Sequence, residues 1–211
     1  MTFKRTEKEI IKAIVKYGDG KCSLAEALNK GKLLEKKGVA IIHENGRNYV
    51  FLDKAFHEDW FANDGLGYVA ELIALKELLV QNRDIIMIPY VSSYSHTIGV
   101  NGFRGVKPDV YTTNDNELIC LADRNVNWFD NNRNQKCWPC DYSEKEMPLA
   151  QFFNCAYSVS QELRDMVKHH FKTEEEIRFI KQQHLTWISI AVTAFIGLAS
   201  LIIAIIGIYI R

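Results

Sequence analysis

Apolar residues recur at helical spacing through Ile10, Ile11, Ile14 and Tyr17. The stripe predicts a helix over about Glu7 to Tyr17, opened by a capping box of Thr6 and Glu9 and stopped by Gly18. Ser23 and Glu26 repeat the capping signature, and Leu24, Ala27, Leu28 and Leu34 continue a helical stripe that Gly31 divides and Gly38 ends. The pattern then changes to strand periodicity. Val39 to His43 and Asn48 to Leu52 flank Glu44-Asn45-Gly46-Arg47, and Asn-Gly supplies the positive φ angles that a tight hairpin turn requires. A long amphipathic helix is expected from about Gly65 to Gln81, capped by Asp64. Strands are expected at Ile85 to Val91, Asp109 to Thr113 and Leu118 to Ala122. Arg124 to Tyr142 has no clear period, and Pro148 opens a helix expected to reach Phe171. The fold class is α+β, with a small helical and hairpin module at the N-terminus and a sheet domain in the centre.

The C-terminal pattern is different in kind. From Leu185 to Ile210 there is no Asp, Glu, Lys or Arg, and roughly 20 such residues suffice for a helix to cross about 30 Å of hydrocarbon. The expectation is a single-pass, tail-anchored transmembrane helix with Trp187 and Tyr209 at the two interfaces. Lys168, Lys172, Arg178 and Lys181 precede it and only Arg211 follows, so the N-terminus is expected to be cytoplasmic and the C-terminus at the far face of the membrane. Thr186, Ser189, Thr193, Gly197, Ser200, Ala204 and Gly207 form a face of small residues. Through it the helix is expected to pack against a second copy or a partner membrane helix. Thr173 and Glu176 cap a helical stalk leading into this segment. The domain plan is therefore 1–54, 55–172, a stalk at 173–184 and the span at 185–210.

Charge sharpens the division. The chain of 211 residues is neutral overall, but residues 1–54 carry 12 Lys and Arg against 7 Asp and Glu, leaving an acidic remainder. Five scattered cysteines suit a reducing compartment better than a disulfide framework. The charged start, Met1 to Lys8, is not a signal peptide pattern.

Two or three short helices followed by a hairpin resemble a winged-helix module over about residues 6–54. That resemblance implies nucleic-acid contact through Lys30, Lys32, Lys36, Lys37 and Arg47. A lysine face on a protein-interaction module accounts for the same residues. Further on, a helix bearing Glu71, then Pro108-Asp109 at a strand, a tight turn and a second strand ending in Ala122-Asp123-Arg124-Asn125 resemble the core of restriction-endonuclease-like nucleases. The resemblance implies a Mg²⁺ site of Glu71, Asp109 and Asp123. Asn125 stands where the family places its catalytic lysine.

Cys137-Trp-Pro-Cys140 is a C-x-x-C pair able to offer two thiolates to Zn²⁺ or to act as a redox dithiol. Completing zinc ligands would come from His169 and His170, or from Cys155 and Cys120. His96 sits among serines without a G-x-S-x-G elbow, and Gly99, Gly102 and Gly105 lack a phosphate-cradling pattern, so those glycines are expected to serve turns. The functional expectation is a cytoplasmic binding, regulatory or sensor domain on a membrane anchor, acting through oligomers. The alternatives are a membrane-tethered nuclease-like protein in defence or nucleic-acid processing, and membrane disruption by the anchor helices.

Overall fold

A computed structural model describes residues 3–57, 63–89, 96–122, 124–172 and 174–209, with side chains in the last segment described as far as Leu198. The chain divides into two compact units, Met1–Val167 and Lys168–Arg211.

The first unit opens with α1 (Arg5–Tyr17), which buries Ile10, Ile11, Ala13 and Ile14 along one stripe. Its start lies two residues earlier than the sequence suggests, because Glu7 rather than Glu9 reaches back, its Oε2 accepting the Lys4 backbone N–H at 2.6 Å. After β1 (Asp19–Ser23) the expected Ser23/Glu26 box opens α2 (Leu24–Gly31): Ser23 Oγ accepts the Glu26 N–H at 3.2 Å and Glu26 Oε2 accepts the Ser23 N–H at 3.3 Å. Lys32, in the left-handed region at φ 52°, stops α2, and a single 3₁₀ turn, Glu35–Lys37, follows. A groove-reading helix of a winged-helix module would occupy this stretch, and here it is three residues long.

The hairpin forms as expected from β2 (Val39–Glu44) and β3 (Arg47–Asp53), with Asn45 at φ 51° and Gly46 at φ 74° in the turn. Both of its outer edges are paired. β3 takes β10 (Cys137–Ser143) and β2 takes the short β5 (Thr97–Ile98), giving a four-stranded sheet in the order β10-β3-β2-β5. Long-range pairing therefore turns an apparently irregular stretch into a strand. A second four-stranded sheet runs in sequence order through β6 (Arg104–Lys107), β7 (Val110–Thr112), β8 (Leu118–Ala122) and β9 (Asn125–Phe129). The two sheets share a core in which Ala40, Ile42, Tyr49 and Phe51 meet Ile119, Leu121 and Trp128. The alternate residues of the hairpin, Ile41, Val50 and Leu52, are fully buried too. Strands covered on both faces read as unbroken apolar runs.

The third sheet joins the ends of this unit. β11 (Cys155–Val159) pairs with β1 on one side and with β4 (Ile85–Pro89), which follows α3 (Asn63–Gln81), on the other. The helix expected from Pro148 to Phe171 is instead α4 (Ala150–Asn154), β11 and α5 (Gln161–Lys168). Phe152, Phe153, Ala156, Val159 and Leu163 are all buried, as the helical stripe requires, but Tyr157 between them is completely buried as well. The adjacent buried pair Ala156 and Tyr157 lies on a strand with neighbours on both sides. Ser160 then caps α5, its Oγ accepting the Leu163 N–H at 3.1 Å.

In the second unit α6 (Glu174–Tyr209) is a helix of 36 residues. The single-pass, tail-anchored span expected over Leu185–Ile210 is corrected here, because among the described residues no helix is long and apolar enough to cross a membrane. The membrane localisation and orientation derived from the span do not stand. Of the small-residue face, Thr193 donates its hydroxyl to Ser189 O at 2.9 Å and Gly197 has no neighbour within 4 Å of a Cβ position. The side chains of Ser200, Ala204 and Gly207 lie outside the described residues.

Candidate functional site

The first unit carries a cleft of about 670 Å³ between the C-terminal end of α2 with the 3₁₀ turn that follows it, the loop around β5, and the β7–β8 turn. Each wall is pinned by polar side chains the local sequence provides. Asn29, at the end of α2, donates from Nδ2 to Thr97 O at 2.7 Å and accepts the Gly99 N–H on Oδ1 at 2.8 Å, clamping the β5 loop. Gly99 is at φ +73°, and a Cβ there would lie 2.5 Å from Val39 O, so this approach needs glycine. Thr113, which is buried, organises the opposite wall. Its Oγ1 accepts the N–H groups of Asp115 at 3.3 Å and Glu117 at 3.2 Å, while its own N–H donates to Glu117 O at 3.1 Å. Asn114 N–H donates to Asn101 O at 2.8 Å and ties that turn to the β5 loop.

The rear of the cleft is a charged network on an aromatic floor. Glu117, 13% exposed, accepts Trp128 Nε1–H on Oε2 at 2.9 Å and Lys136 Nζ on Oε1 at 2.7 Å. Lys136 also lies 3.9 Å from Asp53 Oδ2 and 5.3 Å from the Trp128 ring centroid. Burial pulls the Lys136 ammonium down, but Glu117 and Asp53 outweigh it and hold its pKa above the ordinary lysine value. Phe51 packs edge-on against Trp128 at 5.5 Å. With Glu35 and Asp115 also in the lining against Lys32 and Lys136, carboxylates outnumber ammonium groups.

Of the residues singled out by sequence, Lys32, His96, Gly99, Gly102 and Cys137 line the cleft, while the carboxylates sit elsewhere. Glu71 on α3 pairs with Lys4 at 2.8 Å and lies 3.5 Å from Thr6 Oγ1. Asp109 is exposed in the β6–β7 turn at φ +57°, a conformation that Pro-Asp turn chemistry allows. Asp123 lies outside the described residues. Among the described residues no group of three or more His, Cys, Asp or Glu side chains could hold a metal ion, and nothing joins Glu71 to Asp109.

Cys137 and Cys140 are both buried on β10, whose register with β3 is unbroken from Cys137↔Asp53 to Ser143↔Arg47. Side chains three apart on a regular strand point to opposite faces, so the C-x-x-C spacing does not converge here as it would in a turn. Cys137 belongs to the intersheet core. Burial, reinforced by Asp53, pushes its thiol well up, and burial raises Cys140 too. Both thiols are therefore poor sources of thiolate.

Of the basic candidates, Lys30 and Lys37 lie over the rings of Tyr17 and Tyr68 at 5.6 and 5.9 Å, Lys36 is exposed, and Lys32 lines the cleft. Arg47, at the hairpin turn, is engaged by Asp141 through two hydrogen bonds, Nε–Oδ1 at 2.9 Å and Nη2–Oδ2 at 2.5 Å. Asn29, Glu117, Trp128 and Lys136 have no motif in the sequence. They are assembled by tertiary pairing, whereas Gly99 and Gly102 are legible locally as turn glycines. No known protein family, curated protein or solved structure matches the chain, so its site rests on this geometry.

Proposed function

We propose that the 1–167 unit is a ligand-binding or sensor module whose cleft takes a small polar molecule bearing an ammonium or guanidinium group. The observation that carries this reading is the charge balance of a walled cleft. Glu35, Asp53, Asp115 and Glu117 face Lys32 and Lys136 over the Phe51 and Trp128 floor. Binding pockets of several hundred Å³ with a few placed polar groups over aromatic surface are the usual form of small-molecule sites. A cationic group gains from the nearby carboxylates, about 0.2–1 kcal/mol for each partly exposed pair. The clamps at Asn29 and Thr113 support the reading, since a wall held before binding lowers the ordering cost of association.

The test titrates the full-length chain with an alkylguanidine, an alkyldiamine and a dicarboxylate of matched length, read by tryptophan fluorescence and thermal shift. Saturable response to a cation, weakened about tenfold or more in Asp115→Asn with the dicarboxylate silent, is the expected result. Equal response to the dicarboxylate, or no saturable response to either cation at millimolar concentration, would overturn it.

A further inference from the structure

His43 lies outside the cleft lining, to which its neighbour His96 belongs, and its surroundings are more ordered than a buried histidine on a strand requires. It lies on β2 between two neighbours in a row across the sheet. On the β3 side the register places Asn48 directly opposite. On the other side the pairs Ile41↔Ile98 and Ile42↔Thr97 lead to His96, and the His43 N–H donates to His96 O at 2.8 Å. His43 and His96 are thus cross-strand neighbours at the end of β5. Such neighbours have Cβ atoms about 4.5–5.5 Å apart.

The tautomer of the neutral His43 ring is fixed by its partner. Asn48 Nδ2 donates to Glu144 Oε2 at 2.7 Å and to Met147 O at 2.6 Å, which uses both amide hydrogens. Its Oδ1 is left to accept, and His43 Nδ1, 2.7 Å away, must be the donor. Neutral His43 therefore carries its lone pair on Nε2. With Nδ1 engaged on the β3 side, Nε2 is the nitrogen whose lone pair an incoming ion would take, and the β5 strand that His96 precedes lies on the other side of β2. The Phe153 ring, stacked at 5.3 Å and 11°, fixes the imidazole plane. Glu144 is itself held, its Oε1 accepting the Ala150 N–H at 2.8 Å. His43 is 9% exposed and His96 is exposed, so the pair opens to solvent at one edge.

We propose that His43 and His96 form a bis-imidazole site for a late first-row divalent ion, Cu²⁺, Ni²⁺ or Zn²⁺, with water in the remaining positions. An imidazole whose second nitrogen donates to a fixed acceptor is the usual arrangement of a metal-ligating histidine, and here Asn48 and Glu144 are the outer partners. Imidazole nitrogens suit these ions, whose bonds of about 2.0–2.1 Å can be reached from adjacent strands. Two protein ligands leave open positions, so the bound ion would remain accessible to a further donor.

The experiment adds Cu²⁺ alone, below one equivalent, to the full-length chain. It follows broadening of the six histidine ring signals by NMR and the nitrogen hyperfine pattern by EPR. Expected are joint loss of the His43 and His96 signals and a pattern from two nitrogens. His96→Ala, a change at an exposed side chain, should weaken binding by at least about tenfold, the lower end of what even an outer partner contributes. A His169→Ala/His170→Ala variant should bind as the parent does. Broadening that spares His43, or unchanged affinity in His96→Ala, would overturn the proposal.

Discussion

Glu117 can be replaced in two ways that separate its two bonds. In Glu117→Gln, the amide oxygen can still accept Trp128 Nε1–H, but the amide nitrogen then faces the Lys136 ammonium, donor against donor. What is lost is a charge-assisted hydrogen bond of 2.7 Å between side chains 13% and 31% exposed. Such bonds contribute about 1.5–3 kcal/mol. Lys136 keeps Asp53 at 3.9 Å and remains partly solvated, which places the loss near the lower end, about 1.5 kcal/mol. Glu117→Ala removes both bonds and leaves the indole N–H of Trp128, a residue 4% exposed, without its acceptor. A buried donor left unsatisfied adds about 1–3 kcal/mol, for a total of about 2.5–4.5 kcal/mol. Urea unfolding followed by tryptophan fluorescence reads the difference. With a slope of about 2 kcal/mol per molar, the midpoint falls by roughly 0.75 M in the glutamine variant and by roughly 1.25–2.25 M in the alanine variant. Equal midpoints in the two variants, or a loss below about 0.5 kcal/mol in either, would refute the two-bond account.

Two further outcomes follow from buried tyrosines. Tyr157→Phe should cost about 1 kcal/mol in the same denaturation assay, because the fully buried hydroxyl donates to Ile14 O at 2.8 Å and the ring itself is retained. Tyr68 is raised to about 12, first by burial and then by Glu9 and Glu71. Its folded pKa exceeds the unfolded value near 10, so its contribution to stability is complete below pH 10 and disappears as pH rises toward 12. Tyr68→Phe should flatten the alkaline limb of the stability profile in that window, and an unaltered limb would contradict the assignment.

Local chemistry wrote some elements directly into the sequence. The Ser23/Glu26 box, the Asn45-Gly46 turn and β8 over Leu118–Ala122 each depend on residues within a few positions of one another. Where partners are distant, the sequence is ambiguous. β10 contains proline and two cysteines and becomes a strand only because β3 offers an edge, and β11 carries apolar positions that satisfy a helix and a strand equally. The carboxylates that drew attention, Glu71 and Asp109, proved to be an ion-pair member and a turn residue. The cleft was not legible because Asn29, Glu117 and Lys136 come from segments that only the fold brings together. The apolar tail, the strongest pattern along the chain, is corrected as well, since among the described residues no helix is long and apolar enough to cross a membrane.

The pairing of β1 with β11 has a consequence for how this chain comes into being. Asp19 finds its partner at Ser158, so the N-terminal strand waits for nearly the whole unit to leave the ribosome. At about 5–20 residues per second, that wait is roughly 7–30 s. Over this interval α1 and α2 exist with their sheet edge open, and closing a loop of that length places the step late and slow. Truncation before Cys155 would therefore strand the N-terminal helices without the element that completes them, making the last strand synthesised in this unit a checkpoint for the first.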